Sequence, residues 1–225
     1  MKSILFNSIT AKYLLKISLY LHTKSYILSG RLASVINGGV HPKHRIMKYK
    51  EWFLENIKED WVILDVGCNT GMMAKVFSTK ASFIYGIEIE ENHIKKAREQ
   101  SSGKNIKFIC ADATDYDYTA LKSIDCITLS NVLEHIEFRV EFLKKLSSQI
   151  KWKDKKRFLI RVPMIDREWI AVYKKELGFE YRLDRTHFTE YIFIEFEDEL
   201  KQAGIIIQNY HINFGEIYAV CEAIE

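Results

Sequence analysis

The sequence predicts an α/β fold: a mostly parallel sheet of seven strands with an antiparallel last strand, helices on both faces, and helices at the N-terminus. Three observations carry this. From residue 61 onward short apolar runs alternate with amphipathic stretches. The runs are nearly continuous in apolar residues, as strands buried on both faces must be. The last two are separated only by a few residues around Asn213-Phe214-Gly215, a hairpin length that no parallel crossover can use.

Taken in order, MKSILFNSITAKYLLKISLYLHTKSYILSG places Ile9, Tyr13, Leu14, Ile17, Tyr20 and Leu21 at helical spacing. Lys12, Lys16 and Lys24 interrupt it too often for a membrane span of ~20 apolar residues, and no clean apolar stretch with a cleavage site marks a signal peptide. The expectation is a helix packed on the domain; a membrane-surface or dimer-forming helix, the latter giving a homodimer, is the alternative. HRIMKYKEWFLENI (44–57) has helical spacing at Ile46, Tyr49, Trp52, Phe53 and Ile57. Strands are expected at 61–66, 83–90, 106–112, 124–131, 157–163, 205–212 and 216–224, with helices at 70–80, 91–100, 141–150 and 193–204. No repeat or Pro-rich linker divides the chain, so 1–43 reads as a helical extension or lid and 44–225 as one domain.

Bulk properties narrow the function. A net charge of +3 is slight, and the densest basic cluster (Lys151, Lys153, Lys155, Lys156, Arg157) falls in an expected helix-to-strand turn, so nucleic acid is disfavoured. Cys68, Cys110, Cys126 and Cys221 show no CxxC pair and no ligand spacing. They read as reduced thiols in a reducing, cytoplasmic setting, without a metal site.

The chemistry concentrates in VILDVGCNTG (62–71), at a strand's carboxyl end, where open α/β sheets bind ligands. A dinucleotide fingerprint starting at Gly67 would need glycines at 69 and 72, where Asn69 and Met72 stand. What remains is Asp65, Gly67, Asn69 and Gly71, then an acid ending the second strand (Glu88) and another ending the third (Asp112). A ligand with a ribose, an adenine and an ammonium, but no phosphate, would use this set. Glu88 can accept from both ribose hydroxyls, Asp112 from the adenine amine, and Asp65 from the ammonium directly or through water.

With DVGCNTG, YGIEIEENHIKKARE, ICADATD and DCITLSNVLEHI in this order and spacing, residues 44 to 224 resemble a class I S-adenosylmethionine-dependent methyltransferase. The resemblance implies a Rossmann-like sheet, S-adenosyl-L-methionine as cofactor and S-adenosyl-L-homocysteine as product. It places cofactor contacts at Asp65, Gly67, Cys68, Asn69, Gly71, Glu88, Ile89, Asp112, Ala113, Ser130 and Asn131. Asn69 departs from the family, in which a glycine is common there.

The residues just after the fourth strand bear on the acceptor. Ser130-Asn131-Val132-Leu133 lacks the Pro-Pro of exocyclic-amine methylation, and no cysteine is placed for cytosine C5 chemistry. A small polar acceptor, methylated at oxygen, is the expectation; a protein or RNA nitrogen, or a non-catalytic cofactor-binding module, are the rivals. LEH (133–135) resembles ubiquinone-type O-methyltransferases, some of which add an acid three residues before the Glu and bind a divalent metal. Asn131 stands there, so no metal is expected. His135 is the first candidate base.

Residues 163–190 form a connection far longer than the roughly 2–6 residues usual between a strand and the next helix. WIAVYKKEL within it reads as helix. Asp166, Trp169, Tyr173, Arg185 and, on the last hairpin, Glu216 are the expected substrate contacts. Asp184 and His187, three apart, are expected to pair as base and orienter.

Overall fold

The computed structural model describes residues 8–101 and 105–224; the first seven residues of the N-terminal segment lie outside it. Two compact units divide the chain, 1–49 and 50–225. The first holds α1 (Ser8–Ile36) and a one-turn α2 (Lys43–Ile46). The 44–57 stretch expected as one helix is broken: Lys48 takes a φ of 51°, and α3 (Tyr49–Glu55) starts afresh behind it. Ile9, Tyr13, Leu14, Ile17, Tyr20 and Leu21, the positions expected to form the packing face of α1, are exposed instead.

In the second unit the elements run β1 (Val62–Val66), α4 (Met72–Phe77), β2 (Phe83–Glu88), α5 (Glu91–Gln100), β3 (Ile106–Cys110) and β4 (Ile124–Ser130). Then come α6 (Arg139–Gln149), β5 (Trp152–Pro163), α7 (Trp169–Glu176), α8 (Phe193–Gln202), β6 (Ile205–Asn213) and β7 (Glu216–Ala223). The sheet order is β3-β2-β1-β4-β5-β7-β6. Pairing is parallel from β3 through β5, and β7 runs antiparallel to both β5 and β6. The expected reversed strand is therefore β7, which lies between β5 and β6.

Burial explains the strand sequences. Ile63, Leu64, Ile84, Ile87, Ile127, Leu129, Phe158 and Ile160 are all inaccessible to solvent. Burying each such side chain is worth about 1.5–3 kcal/mol. Asp125, at the start of β4, accepts from the Val62 N–H at 2.7 Å and pairs with Lys153 at 2.8 Å, fixing the bottom of the sheet. The basic cluster at 151–157 is not a turn. All of it but Lys151 lies in the first half of the 12-residue β5, where Lys155 pairs with Glu222 and Arg157 with Glu222 and Asp154. Cross-strand partners, invisible in a one-dimensional pattern, turn this charged stretch into strand.

Candidate active site

The β1–α4 loop is shaped by two close approaches. A Cβ on Gly67 (φ 67°) would meet the Val132 side chain at 2.7 Å, and one on Gly71 (φ 77°) would meet Phe108 at 2.8 Å. Both positions need left-handed backbone and no side chain. Asn69 also lies at positive φ, 49°, a region asparagine enters more readily than most residues. Its N–H donates to Glu88 Oε2 at 3.0 Å and its Oδ1 accepts from the Thr70 N–H at 2.7 Å. Cys68 is buried, its N–H bonded to the Ile87 carbonyl at 3.0 Å, and burial pushes its thiol well above the ordinary range.

The carboxylates sit where the sheet register puts them. Asp65 stands opposite Thr128, whose hydroxyl donates to Oδ1 at 2.8 Å. Its Oδ2 is buried with no hydrogen-bond partner. Burial raises the Asp65 pKa to about 7, against the Thr128 bond and with the help of Glu88. Glu88 spends one lone pair of each oxygen on backbone, Oε1 on the Glu90 N–H (2.9 Å) and Oε2 on the Asn69 N–H (3.0 Å). That fixes the carboxylate and leaves lone pairs on both oxygens for a diol. Asp112 is exposed and accepts from Thr114 N–H and hydroxyl at 2.8 and 2.7 Å, while the Ala113 carbonyl accepts from Tyr118. Ile89 is 59 % exposed beside Glu88, an apolar edge against which a flat ring can lie.

This set fits S-adenosylmethionine. A buried carboxylate oxygen without a donor suits an ammonium, a fixed carboxylate suits a ribose diol, and a side-chain-free cradle lets backbone approach the ligand.

On the other side of β4, the Asn131 N–H donates to the Arg161 carbonyl at 2.8 Å, and its Oδ1 accepts from Arg161 Nε at 3.1 Å. Glu216, the first residue of β7, pairs with the same Nε at 3.2 Å and takes longer contacts from Asn131 Nδ2 and the Tyr218 hydroxyl, each 3.4 Å. Thus the fourth-strand end expected to meet the cofactor is tied to the hairpin expected to meet the acceptor. Ser130, half-buried, is the last residue of β4 before this network.

His135 lies in a single 3-10 turn, Leu133–His135, and meets the 163–190 insertion. Its Nδ1 is 2.9 Å from Thr186 Oγ1, which is also 2.9 Å from Asp184 Oδ1. A carboxylate can only accept, so Thr186 gives its one proton to Asp184 and accepts from His135 Nδ1–H. His135 Nε2 is left with a lone pair. Partial burial, then the neighbouring His187, hold the His135 pKa below its usual value, so it is neutral at pH 7.

His187 is buried and stands edge-on to His135, ring centroids 4.7 Å apart. The expected pairing of Asp184 with His187 is not formed: the Nδ1 of His187 meets Glu190 at 3.1 Å, and Asp184 serves Thr186 instead. In sequence Asp184 and Glu190 are equidistant from His187, and only the fold of the insertion chooses between them. Glu190 also binds Arg167 and the Leu183 N–H. Burial alone would raise its pKa, but these partners hold it below the usual carboxylate range. Asp166, Trp169 and Arg185 stand exposed on the insertion, and Tyr173 is half-buried with its ring 6.2 Å from that of Trp169.

Glu134 and Arg161 were not among the expected site residues. Glu134 is inaccessible to solvent, neither carboxylate oxygen has a hydrogen-bond partner, and its pKa is raised to about 8. Burial is the main cause; Glu216 and Glu190 add to it and Arg161 opposes it. One ligand atom each from Glu134, His135 and His187 lie within 4.8 Å of one another. The sequence signals were a charged residue inside the apolar run LIRVP and an acid beside the candidate base.

Known proteins resemble this chain in sequence and in fold. Residues 64–151 match the family model of a methyltransferase domain. The ubiquinone biosynthesis O-methyltransferase of Thiobacillus denitrificans is 32 % identical over 76 residues, 33 % of each chain. N-methyltransferase 4 of Papaver somniferum is 30 % identical over 111 residues, 47 % of this chain and 31 % of that one. The chain thus spans a third to a half of the curated relatives it matches. A SAM-dependent methyltransferase from Aquifex aeolicus has the same fold, with a TM-score of 0.62 at 18 % identity over 81 % of this chain and 94 % of that one. So does the magnesium protoporphyrin IX methyltransferase of Synechocystis with bound SAH, with a TM-score of 0.60 at 16 % identity over 79 % and 81 %. Residues 64–151 thus match a methyltransferase domain, and the sheet around them has the fold of S-adenosylmethionine-dependent methyltransferases.

Proposed function

We propose that this chain transfers a methyl group from S-adenosylmethionine to a hydroxyl of a small polar molecule of the sugar, phenol or quinol type. The cofactor supplies an electrophilic methyl on a sulfonium. The chain's own residues bind it, hold the acceptor and take up the acceptor's proton. The observation that carries the reading is the hydrogen-bonded chain Asp184–Thr186–His135, which fixes the tautomer of His135 and keeps Nε2 open as a base. A general base of this kind contributes typically 10²–10⁴-fold.

In support, the Asn131–Arg161–Glu216 network offers polar contacts to hydroxyls, and the neighbouring rings of Trp169 and Tyr173 offer an aromatic surface for a ring. Against a nucleic-acid acceptor, Lys153, Lys155 and Arg157 of β5 are engaged in ion pairs with Asp125 and Glu222. The test is calorimetric titration of S-adenosylmethionine and S-adenosylhomocysteine into wild type and Glu88→Ala, then a screen of hydroxylated acceptors. Micromolar binding weakened tenfold or more in the variant, followed by turnover with a hydroxyl acceptor, is the expected result. A folded protein that binds neither ligand overturns the reading; one that binds both and methylates only nitrogen restricts it to the cofactor half.

One observation favours a second reading of the acceptor side. The Glu134, His135 and His187 donors would suit a small divalent cation, such as zinc, that orients the acceptor oxygen. Tetrahedral ligands at ~2.1 Å lie ~3.4 Å apart, so atoms that lie within 4.8 Å of one another would have to close by up to ~1.4 Å. Equimolar zinc binding that Glu134→Gln and His187→Ala both abolish would establish it. Undiminished turnover in EDTA would remove it.

A further inference from the structure

The apolar residues of α1 that face solvent require an explanation that the methyltransferase half does not provide. At 100° per residue, ten large apolar side chains share an arc of roughly 140°, from Ile9 and Tyr13 through Ile17, Leu21 and Leu28 to Val35, and they are 44–75 % exposed. Leu19, the buried residue of this helix, lies outside that arc. Lys16, Lys24 and Arg31 stand within it or at its rim.

The charge of the unit is one-sided. Residues 1–49 contain eight Lys and Arg and no Asp or Glu, whereas the whole chain is only +3, leaving −5 on residues 50–225. Among the described residues, no helix is long and apolar enough to cross a membrane. Nucleic acid would use the positive charge but not ten uncovered apolar side chains. A second copy would bury the apolar arc but set Lys16, Lys24 and Arg31 against their own counterparts, with no acid on the unit to meet them. One occupant satisfies both features at once. We propose that α1 lies in the plane of an anionic lipid surface, its apolar arc in the acyl boundary and its lysines and Arg31 reaching the headgroups. The proposal does not depend on the reaction the second unit carries out.

The full chain should be sedimented with vesicles of phosphatidylcholine alone and with one-third phosphatidylglycerol, at about 0.1 M and about 0.5 M salt, where the Debye length falls from ~10 Å to under half of that. Partition at least tenfold stronger onto the anionic vesicles, and several-fold weaker at high salt, is expected. The double variant Ile17→Asp/Leu28→Asp should lose partition tenfold or more with unchanged helicity and melting temperature. Should it misfold, Lys16→Gln/Lys24→Gln, which leaves the apolar arc intact, should lose preference for anionic vesicles several-fold. Equal partition onto both vesicle types, none onto either, or a dimer in sedimentation equilibrium that the Asp variant dissociates would each overturn the proposal.

Discussion

At Thr186 a single hydroxyl proton decides which nitrogen of His135 keeps its lone pair, because Asp184 on its far side can only accept. Thr186→Val should therefore lower kcat about tenfold with little change in KM, and His135→Ala should lower it by 10²–10⁴. Wild-type kcat should rise with pH through the lowered pKa of His135, with its midpoint below the ordinary histidine value. Rates of the two variants across pH 5–8 check this; a Thr186→Val enzyme with wild-type kcat would remove the relay. Asp65 makes a second prediction. Its pKa is about 7 in the fold and 3.8 for the free side chain, so its contribution to stability is fully present below pH 4 and lost as pH rises through 7. At 1.36 kcal/mol per pH unit that gap amounts to roughly 4 kcal/mol. Asp65→Asn should be about 2–4 kcal/mol more stable than wild type at pH 8, by denaturant melts, yet bind S-adenosylmethionine at least tenfold more weakly.

At the scale of elements the insertion is held from within and from below. Glu190 gathers Arg167, His187 and the Leu183 N–H, while the Phe188 N–H donates to the Glu134 carbonyl at 2.7 Å. Removing one partner of a buried ionic network costs about 3–5 kcal/mol. Glu190→Ala should accordingly open residues 164–190 to hydrogen exchange and limited proteolysis while β1 to β4 stay protected. Equal protection in both proteins would show that the insertion stands without this anchor. The parallel strands and the cofactor loop were legible in the sequence, because double-sided burial writes nearly unbroken apolar runs and DVGCNTG carries its own turn chemistry. The first half of β5 was not, because Lys153 and Lys155 find their acids on β4 and β7. Nor was the role of Glu190, since its three partners converge only after the insertion folds back. The Asp184–His187 pair was inferred from spacing alone, which leaves the direction of the ring undecided.

For the whole molecule, two buried carboxyls act in the same direction. Glu134, with a pKa raised to about 8, adds to Asp65 in making the fold less stable at alkaline than at mildly acidic pH. The denaturation midpoint should fall between pH 5 and pH 8, and S-adenosylmethionine should recover part of the loss at pH 8 by engaging Asp65; a flat profile would show both groups ionised at no cost. The thiols report the same core. Cys68, Cys126 and Cys221 are buried and Cys110 is exposed, so a thiol reagent should modify one cysteine quickly and three only on unfolding.

The order of the sheet also bears on how the chain is made. β7 comes after β6 in sequence but separates β6 from β5 in space. As the polypeptide emerges from the ribosome, β1 to β5 can pair as each appears, whereas β6 has no partner until β7 is out. Nascent chains stalled before Glu216 should therefore carry a formed cofactor half and an unpaired β6 strand, Ile206, Tyr210 and Ile212 included, in need of chaperone cover until the hairpin closes.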